Sequence, residues 1–556
     1  MLNVKPACIG GIVLFRANTD HSQDQLFDST HWMDPKIRKI LEESWAPIFY
    51  KHVFCNIDES PFSVLYDDST GRPNFPVNIL LSLEYIKHLR CCNDLELLDS
   101  FYFDYLVNYA VGIRNLGEMS LSERTLNNFR ERIYKHCLEN PGKDDLLFGQ
   151  FMQLLHVFAD EAGILLDKQR TDTTMFQSNI KKAGRISLAY DVLAKAVKAI
   201  PEDARTQELN QALQTSFKTD VLYRAKAEEG NSKLAMLLNL CREALRIIDT
   251  QARLLESEER RILARFIDEQ SVADTATGKL VPKPNKEITS GSLQSAHDEN
   301  ATYRKKGNVG QSGYVLEISE TCDKDNGFQL ITDYSVRPNN VSDQKIFVER
   351  MPAIKENTGC KEQYVDGGYH SPDVHKTAAE NGMEIHLTDM CGTKPSKKIP
   401  VSEFEIEAGT NIIKRCPGGH RPTNAGVGKS QAVAHFPHEA CAGCALRDKC
   451  HSKKQAKDHV VRISIKAINA SREREAIKAN QKEYTSMRAG IEGTNSALKR
   501  KGQDKLAVRG IIKCTIVSAL KQTCQNIKRI IKFKQGGYKP KHSNLPFNGI
   551  PMPCLG

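Results

Sequence analysis

From residue 296 to about residue 390, short apolar runs alternate with amphipathic ones. SGYVLEISET and GFQLITDYSVRP come first, then residues 342–356, then KEQYVDGGYHS, residues 372–381 and MEIHLTD. Short β-favouring runs bounded by turn signals are strands, and longer runs with a 3.6-residue period are helices. Strands that alternate with helices cover a sheet on its faces, so this stretch predicts an α/β core. Inside it lies YVDGGYHSPD, residues 364–373, where an apolar strand ends on Asp366 and turns at once through Gly367 and Gly368. A carboxylate at the tip of a buried strand is costly unless a partner or a metal compensates it.

The flanking sequence reads differently. Residues 34–157 are mostly helical, with amphipathic periodicity in PVNILLSLEYIKHL (76–89), DLELLDSFYFDYLVNYAVGI (94–113) and RTLNNFRERIYKHCL (124–138). A helix starting at SLSERTLNNF and carrying Arg124, Arg130 and Arg132 suits a DNA-contacting unit, and it equally suits any helical bundle. GILLDKQRTDTTMFQSNI (163–180) predicts a strand pair or a strand edge carrying Asp172. Residues 186–272 read as an inserted helical arm, and the Ser/Gly/Thr/Pro-rich stretch 271–295 marks a boundary. Residues 401–455 hold the only organised cysteines, and residues 471–533 return to helix. IGGIVLF (9–15) is too short to span a bilayer and predicts a strand.

A chain of 556 residues is expected to fold as two to four domains. No apolar run of about 18 residues is free of charge, so no membrane-spanning helix is expected. The sixteen cysteines, mostly without pattern, point to a reducing, cytoplasmic setting. Charge is the more telling quantity. Residues 493–541 hold thirteen Lys or Arg against one acid, Asp504, which leaves 65 basic and 67 acidic residues elsewhere. A surplus of +10 concentrated in one segment predicts a polyanionic partner, and nucleic acid is the commonest.

RAGIEGTNSALKRKG (488–502) supplies a third carboxylate. Arg488, Glu492 and Lys499 recur at steps of four and seven, which return to nearly the same face of a helix. A surface salt-bridge ladder would look the same. Taken with Asp172 and Asp366, however, Glu492 completes a hard-oxygen set suited to Mg²⁺. Two such ions about 3.5–4 Å apart activate a water or a 3′-hydroxyl and stabilise the leaving oxygen of a phosphodiester.

These segments resemble bacterial insertion-sequence transposases of the DDE class, cut-and-paste enzymes with a ribonuclease-H-like catalytic core. The helical region from PVNILLSLEYIKHL to LSERTLNNFRERI looks like the domain that precedes that core. TDTTMFQSNI resembles the first-aspartate segment. HDENATYRKKGNVGQSGYVLEISE, VRPNNVSDQKIF and YVDGGYHSPD resemble the run to the second aspartate. RAGIEGTNSALKRKGQDKLAVRG resembles the third-carboxylate helix with its Arg-x3-Glu-x6-Lys spacing. Tyr484 stands one residue farther from Arg488 than the related signature expects. Asp167 competes with Asp172 for the first position, and the DTT…N context favours Asp172.

The resemblance implies an α/β, multidomain α+β protein: a ribonuclease-H-like core with a helical N-terminal domain, a helical insertion and a small cysteine-rich, zinc-type knob. The expected boundaries are 1–157 for the helical DNA-binding domain and 158–185 for the first part of the core. The helical insertion follows at 186–290, more core at 291–400 and the cysteine-rich insertion at 401–455. The part of the core with the glutamate helix is expected at 456–535, and a flexible tail at 536–556. Asp172, Asp366 and Glu492 are expected to ligate two Mg²⁺ or Mn²⁺ ions. Arg488, Lys499, Arg500, Lys501, Arg124 and Arg130 are expected to contact DNA. Asp298 and Asp343 carry family-like context that turn capping explains equally well, and Tyr369 reads as a packing residue.

Cys416, Cys441, Cys444 and Cys450 have the spacing of a tetrahedral thiolate site for structural Zn²⁺, with His420, His435, His438 and His451 as reserve ligands. The implied activity is transposition: binding of the terminal inverted repeats, cleavage at the element ends and transfer of the 3′ ends to target DNA. A homodimer in the DNA complex and action at the nucleoid are implied with it. Two alternatives remain at this point, a ribonuclease-H-like nuclease without strand transfer and a catalytically inactive DNA-binding relative.

Overall fold

The structure, a computed structural model, describes residues 15–22, 28–67, 73–142, 145–223, 229–390 and 398–537. The strand expected at 9–15 and the tail expected from 536 lie outside the described residues except at their inner ends. The chain has mixed α/β character and divides into two compact units. One comprises residues 1–167, 172–359 and 491–556, and the other residues 168–171 and 360–490.

In the first unit, residues 34–162 are helical as their periodicity predicts, in the helices Pro35–Glu42, Trp45–His52, Val77–Arg90, Asp94–Phe103, Tyr105–Ala110, Glu123–Glu139 and Leu146–Ala162. Local chemistry sets their ends. Asn93 and Glu96 form a reciprocal capping box, and Ser122 caps the helix that the sequence starts there. Their apolar faces share one cluster that includes Phe49, Phe62, Phe129 and Phe158.

The helix Ile511–Lys534 runs against Val77–Arg90, Leu146–Ala162 and the strand Ile331–Pro338. This departs from the charge-based expectation of one open basic face. Cys514, Ala519, Leu520, Cys524, Ile527 and Ile530 are buried there. Asn526, buried among them, bonds both backbone groups of Ile331, at 2.8 and 2.7 Å. Several cations of the segment are likewise engaged, since Arg529 meets Glu320, Lys534 meets Glu161 and Lys521 donates to the Lys501 carbonyl. Long cationic side chains can satisfy buried acids while their stems pack, so a count of charges overstates the open surface.

The strand Val309–Thr321 pairs antiparallel with Thr302–Lys306 through its first part and with Ile331–Pro338 through the rest. Gly313, at the join, has φ +144°, and a Cβ there would collide with the Phe176 carbonyl oxygen. Residues 163–180 resolve the pair-or-edge alternative as a single strand, Lys168–Phe176. The helices Arg185–Ala199, Gly230–Asp249 and Glu258–Gln270 form the arm, with an apolar cluster of their own around Leu193, Leu238 and Phe266.

The second unit opens with residues 168–171 of that strand, which pair parallel with Glu362–Val365. That strand in turn pairs parallel with Glu384–Leu387. The helix Pro372–Glu380 connects the last two. Beyond residue 400 an antiparallel sheet of Asn424–Val427, Gln431–Phe436, His459–Ser464 and Ser452–Lys454 packs around Phe404, Phe436 and Val461. The long helix Ile465–Leu498 follows, its residues through 490 belonging to this unit.

Candidate active site

Asp366 ends its strand as the sequence predicts. Its Oδ1 accepts the Gly368 N–H at 2.8 Å and so caps the turn Gly367–Tyr369. A Cβ at Gly368 would stand 2.8 Å from that oxygen, which explains a glycine there. The Gly367 N–H goes to Asp389 at 2.7 Å, and Tyr369 is buried beneath the turn, the packing role expected for it. The other oxygen, Oδ2, lies 3.6 Å from Nη2 of Arg488, with the Asp366 side chain 40% exposed. One oxygen is thus fixed by the backbone and the other faces a cation, leaving lone pairs in reach of solvent.

Around Arg488 the same unit is closely fitted. Arg170, only 8% exposed, donates to the Met487 carbonyl at 2.7 Å. Tyr484 packs edge-on against Tyr364 and lies over His386, with ring centroids 5.9 and 4.9 Å away. Its ring therefore supports the strand that ends at Asp366.

In the first unit, Asp172 is the fifth residue of its strand and accepts a hydrogen bond at Oδ2 from Asn495 Nδ2, 3.2 Å away. Asn495 lies one helical turn after Glu492, which is exposed. Thr494, between them, is held by the buried pair of Arg529 and Glu320: Thr494 Oγ1 donates to Glu320 Oε2 at 2.7 Å, and Arg529 Nη2 donates to the threonine oxygen at 2.6 Å. The helix is thereby clamped beside Glu492. Asp167 precedes the strand rather than sitting in it.

The helix ends at Leu498, and Lys499 begins a π-type turn that runs to Gln503. Lys501 leaves helical geometry and Gly502 has φ +75°, so the helical course reaches Lys499 and Arg500 and breaks just after them. Lys499 and Arg500 are exposed there. The chain then pairs with the end of the Asp172 strand: Gln177 N–H donates to the Asp504 carbonyl, Leu506 N–H to the Gln177 carbonyl and Asn179 N–H to the Val508 carbonyl, each at 2.8 Å.

Beside this junction a cavity of about 350 Å³ is lined by Asn179, Lys181, His297, Lys505 and Arg509 among others. Lys181, Lys505 and Arg509 were not singled out as site residues from the sequence, where only the overall basic count of the segment hinted at the last two. Asp298 is 2% exposed and accepts from Ser178 and Tyr314, both at 2.5 Å, and from the Gly510 N–H at 3.1 Å. Asp343 holds Arg304 through both carboxylate oxygens. Both have structural partners.

Arg124 is exposed on its helix. Arg130 on the same helix is not offered to a ligand. It reaches Glu84 at 2.6 Å and Asp94 at 2.7 Å, and its partner Glu84 is buried. The expected DNA contact at Arg130 is therefore a tie within the helical bundle: a deeply seated carboxylate needs its cation.

The four organised cysteines, Cys416, Cys441, Cys444 and Cys450, line one cavity of the second unit together with Gly418, His420 and Arg447. Turns shape it, with Cys416 N–H bonded to the His420 carbonyl and Gly419 N–H to the Cys416 carbonyl. Burial raises the Cys441 thiol pKa, and Cys450, Cys416 and Cys444 raise it further, as thiolates crowded without a cation do. Of the reserve ligands, His435 is held by Asp458 and His451 by the Ile399 carbonyl.

Among the described residues no helix is long and apolar enough to cross a membrane. Residues 415–531 match the family model described as a transposase DDE domain. No curated protein and no solved structure gives a match. The matched segment takes in the four cysteines, Arg488, Glu492 and Lys499–Lys501, and leaves Asp172 and Asp366 outside it. The match supports a DDE-class transposase, an enzyme class that acts on DNA and generally uses divalent metal ions.

Proposed function

We propose that the chain is an active transposase in which Asp172, Asp366 and Glu492 together hold two Mg²⁺ or Mn²⁺ ions, within a core of ribonuclease-H-like type. The observation that carries the reading is the transposase DDE domain match over residues 415–531. The strands agree with it, since an antiparallel set lies in one unit, a parallel set in the other, and the Asp172 strand contributes residues to both. The donor chemistry fits as well: all three are carboxylates, none is fully buried, and hard divalent cations take oxygen ligands.

When bound, the ions supply Lewis-acid activation of the attacking hydroxyl and charge neutralisation at the phosphodiester. The chain's own residues do the rest. Asn495 and the Gly368 N–H each hold one carboxylate oxygen, fixing the rotamers of Asp172 and Asp366. Arg488, 3.6 Å from Asp366 Oδ2, orients that carboxylate and remains charged at any working pH. Lys499, Arg500, Lys501, Lys505, Arg509 and Arg124 bind backbone phosphates of the element ends and target DNA. Two ends are joined in one reaction, so a homodimer assembles on DNA, and the protein acts in the cytoplasm at the nucleoid. Zn²⁺ on Cys416, Cys441, Cys444 and Cys450 is structural, because four protein ligands leave no open position.

The test uses labelled DNA carrying the inverted repeats that flank the gene, with Mg²⁺. The wild-type chain cleaves at the ends and joins the 3′-hydroxyl to target. Asp172→Ala, Asp366→Ala and Glu492→Ala each lose both steps by about 10³-fold or more yet still shift the DNA. Cleavage without joining makes the protein a nuclease, and unchanged cleavage in the Asp366→Ala variant overturns the assignment.

A further inference from the structure

A second cluster of ligand-type side chains lies in the second unit, and the carboxylate chemistry does not use it. His370 follows the turn that Asp366 caps. His375 sits in the first half of the helix Pro372–Glu380, and Glu473 lies in the first third of the helix Ile465–Leu498. His370 Nε2 stands 3.1 Å from one Glu473 oxygen and His375 Nε2 stands 3.0 Å from the other. The three ligand atoms all lie within 4.8 Å of one another, the sole such group of three among the described residues.

Two ion pairs on a shared carboxylate would also bring these residues together. The orientation of His375 argues against that simpler reading. Its Nε2 is buried and pairs with a carboxylate oxygen 3.0 Å away, but at an angle outside good hydrogen-bond geometry. The nitrogen is close to the acid without being aligned on it. A cation between the three atoms removes the mismatch, because each ligand then points at the ion rather than at its neighbour. Zinc bonds of about 2.0–2.1 Å at tetrahedral angles separate ligand atoms by about 3.3–3.4 Å, which small side-chain adjustments reach from the spacing found. The two rings have their centroids 5.7 Å apart and their planes at 68°.

We propose that His370, His375 and Glu473 form a three-ligand site for a borderline divalent cation of the Zn²⁺ class, whose occupancy pins the turn following Asp366 to the helix Ile465–Leu498. Two imidazoles select such a cation over Mg²⁺, which prefers oxygen. Three protein ligands leave the fourth position to water, in contrast to the closed cysteine site. The site braces Gly367–Tyr369 and so acts on Asp366 through the backbone.

The experiment titrates Co²⁺ into the full chain and reads its absorption, since thiolate ligation gives an intense charge-transfer band in the near ultraviolet and imidazole–carboxylate ligation does not. The variants are His370→Ala/His375→Ala and Glu473→Gln, with Cys441→Ser/Cys444→Ser as the control for the cysteine site. The His double variant is expected to take up about one equivalent of Co²⁺ less than wild type while the thiolate band keeps its full height. Glu473→Gln is expected to bind that equivalent more weakly. The cysteine control is expected to lose the band and keep the other equivalent. Should the His double variant lose its helical circular dichroism, His375→Gln carries the same comparison. Equal uptake by wild type and the His and Glu variants overturns the proposal, as does displacement, by Mg²⁺ at the same concentration, of the very equivalent that the His double variant lacks.

Discussion

The guanidinium of Arg170 lies so close over Gly490 that a Cβ at that position would overlap it, while Arg170 itself is anchored to the Met487 carbonyl one turn earlier on the same helix. A glycine inside a helix normally weakens it by about 1 kcal/mol relative to alanine. Here the missing side chain makes room for a buried arginine from the strand that carries Asp172.

Gly490→Ala should therefore destabilise the protein despite its better helix propensity. The expected net loss is about 1–2 kcal/mol, the overlap outweighing the propensity gain. Denaturant unfolding of the variant measures it, and a rise in midpoint would contradict the packing described.

Arg529→Ala leaves Glu320, wholly buried, without its cation. Removing one member of such a pair costs about 3–5 kcal/mol. Arg529→Leu combined with Glu320→Leu should recover most of that loss, because the penalty lies in the stranded charge. Unfolding midpoints of the single and double variants test the contrast.

Arg130→Ala leaves the buried Glu84 without its cation, while Asp94 keeps Lys87 at 2.7 Å, so a loss of about 3 kcal/mol in unfolding free energy is expected. DNA affinity, measured at a temperature where the variant is folded, should stay within about twofold of wild type, whereas removing one phosphate contact lowers the salt slope by about one. Arg124→Ala is the comparison that should show the altered slope.

His88 supplies a pH dependence. Burial, then Lys521 and Lys87, push its imidazole from 6.5 down to about 3. A histidine with a depressed folded pKa binds its proton more readily when unfolded, so folding stability falls as pH drops from about 6.5 towards 3. His88→Gln should flatten that part of the stability curve, as urea unfolding at several pH values would show.

Much of this was legible in the sequence, and the reason is local. The Asp-Gly-Gly break after an apolar run can hardly be anything but a strand end, and Arg488 and Glu492 share a helix through spacing alone. What escaped was set by tertiary partners. Arg130 looks as available as Arg124 until Glu84 and Asp94 are folded against it. The segment after Gly493 shows its charges in sequence but not Glu320, Glu161 or the Lys501 carbonyl, which take up part of them. His370, His375 and Glu473 gave no signal, because the glutamate is about a hundred residues from its histidines and the helix around it reads as ordinary charged surface. The π turn after Leu498 was equally hidden, since only Gly502 marks it.

The backbone bonds between residues 177–179 and 504–508 join parts of the chain that leave the ribosome far apart in time. Closing a loop of that length is entropically slow and is rewarded only at the end. The strand bearing Asp172 thus lacks its final neighbours until residue 508 has emerged. On the catalytic reading proposed above, a nascent chain would leave the DNA around it uncut until that pairing forms.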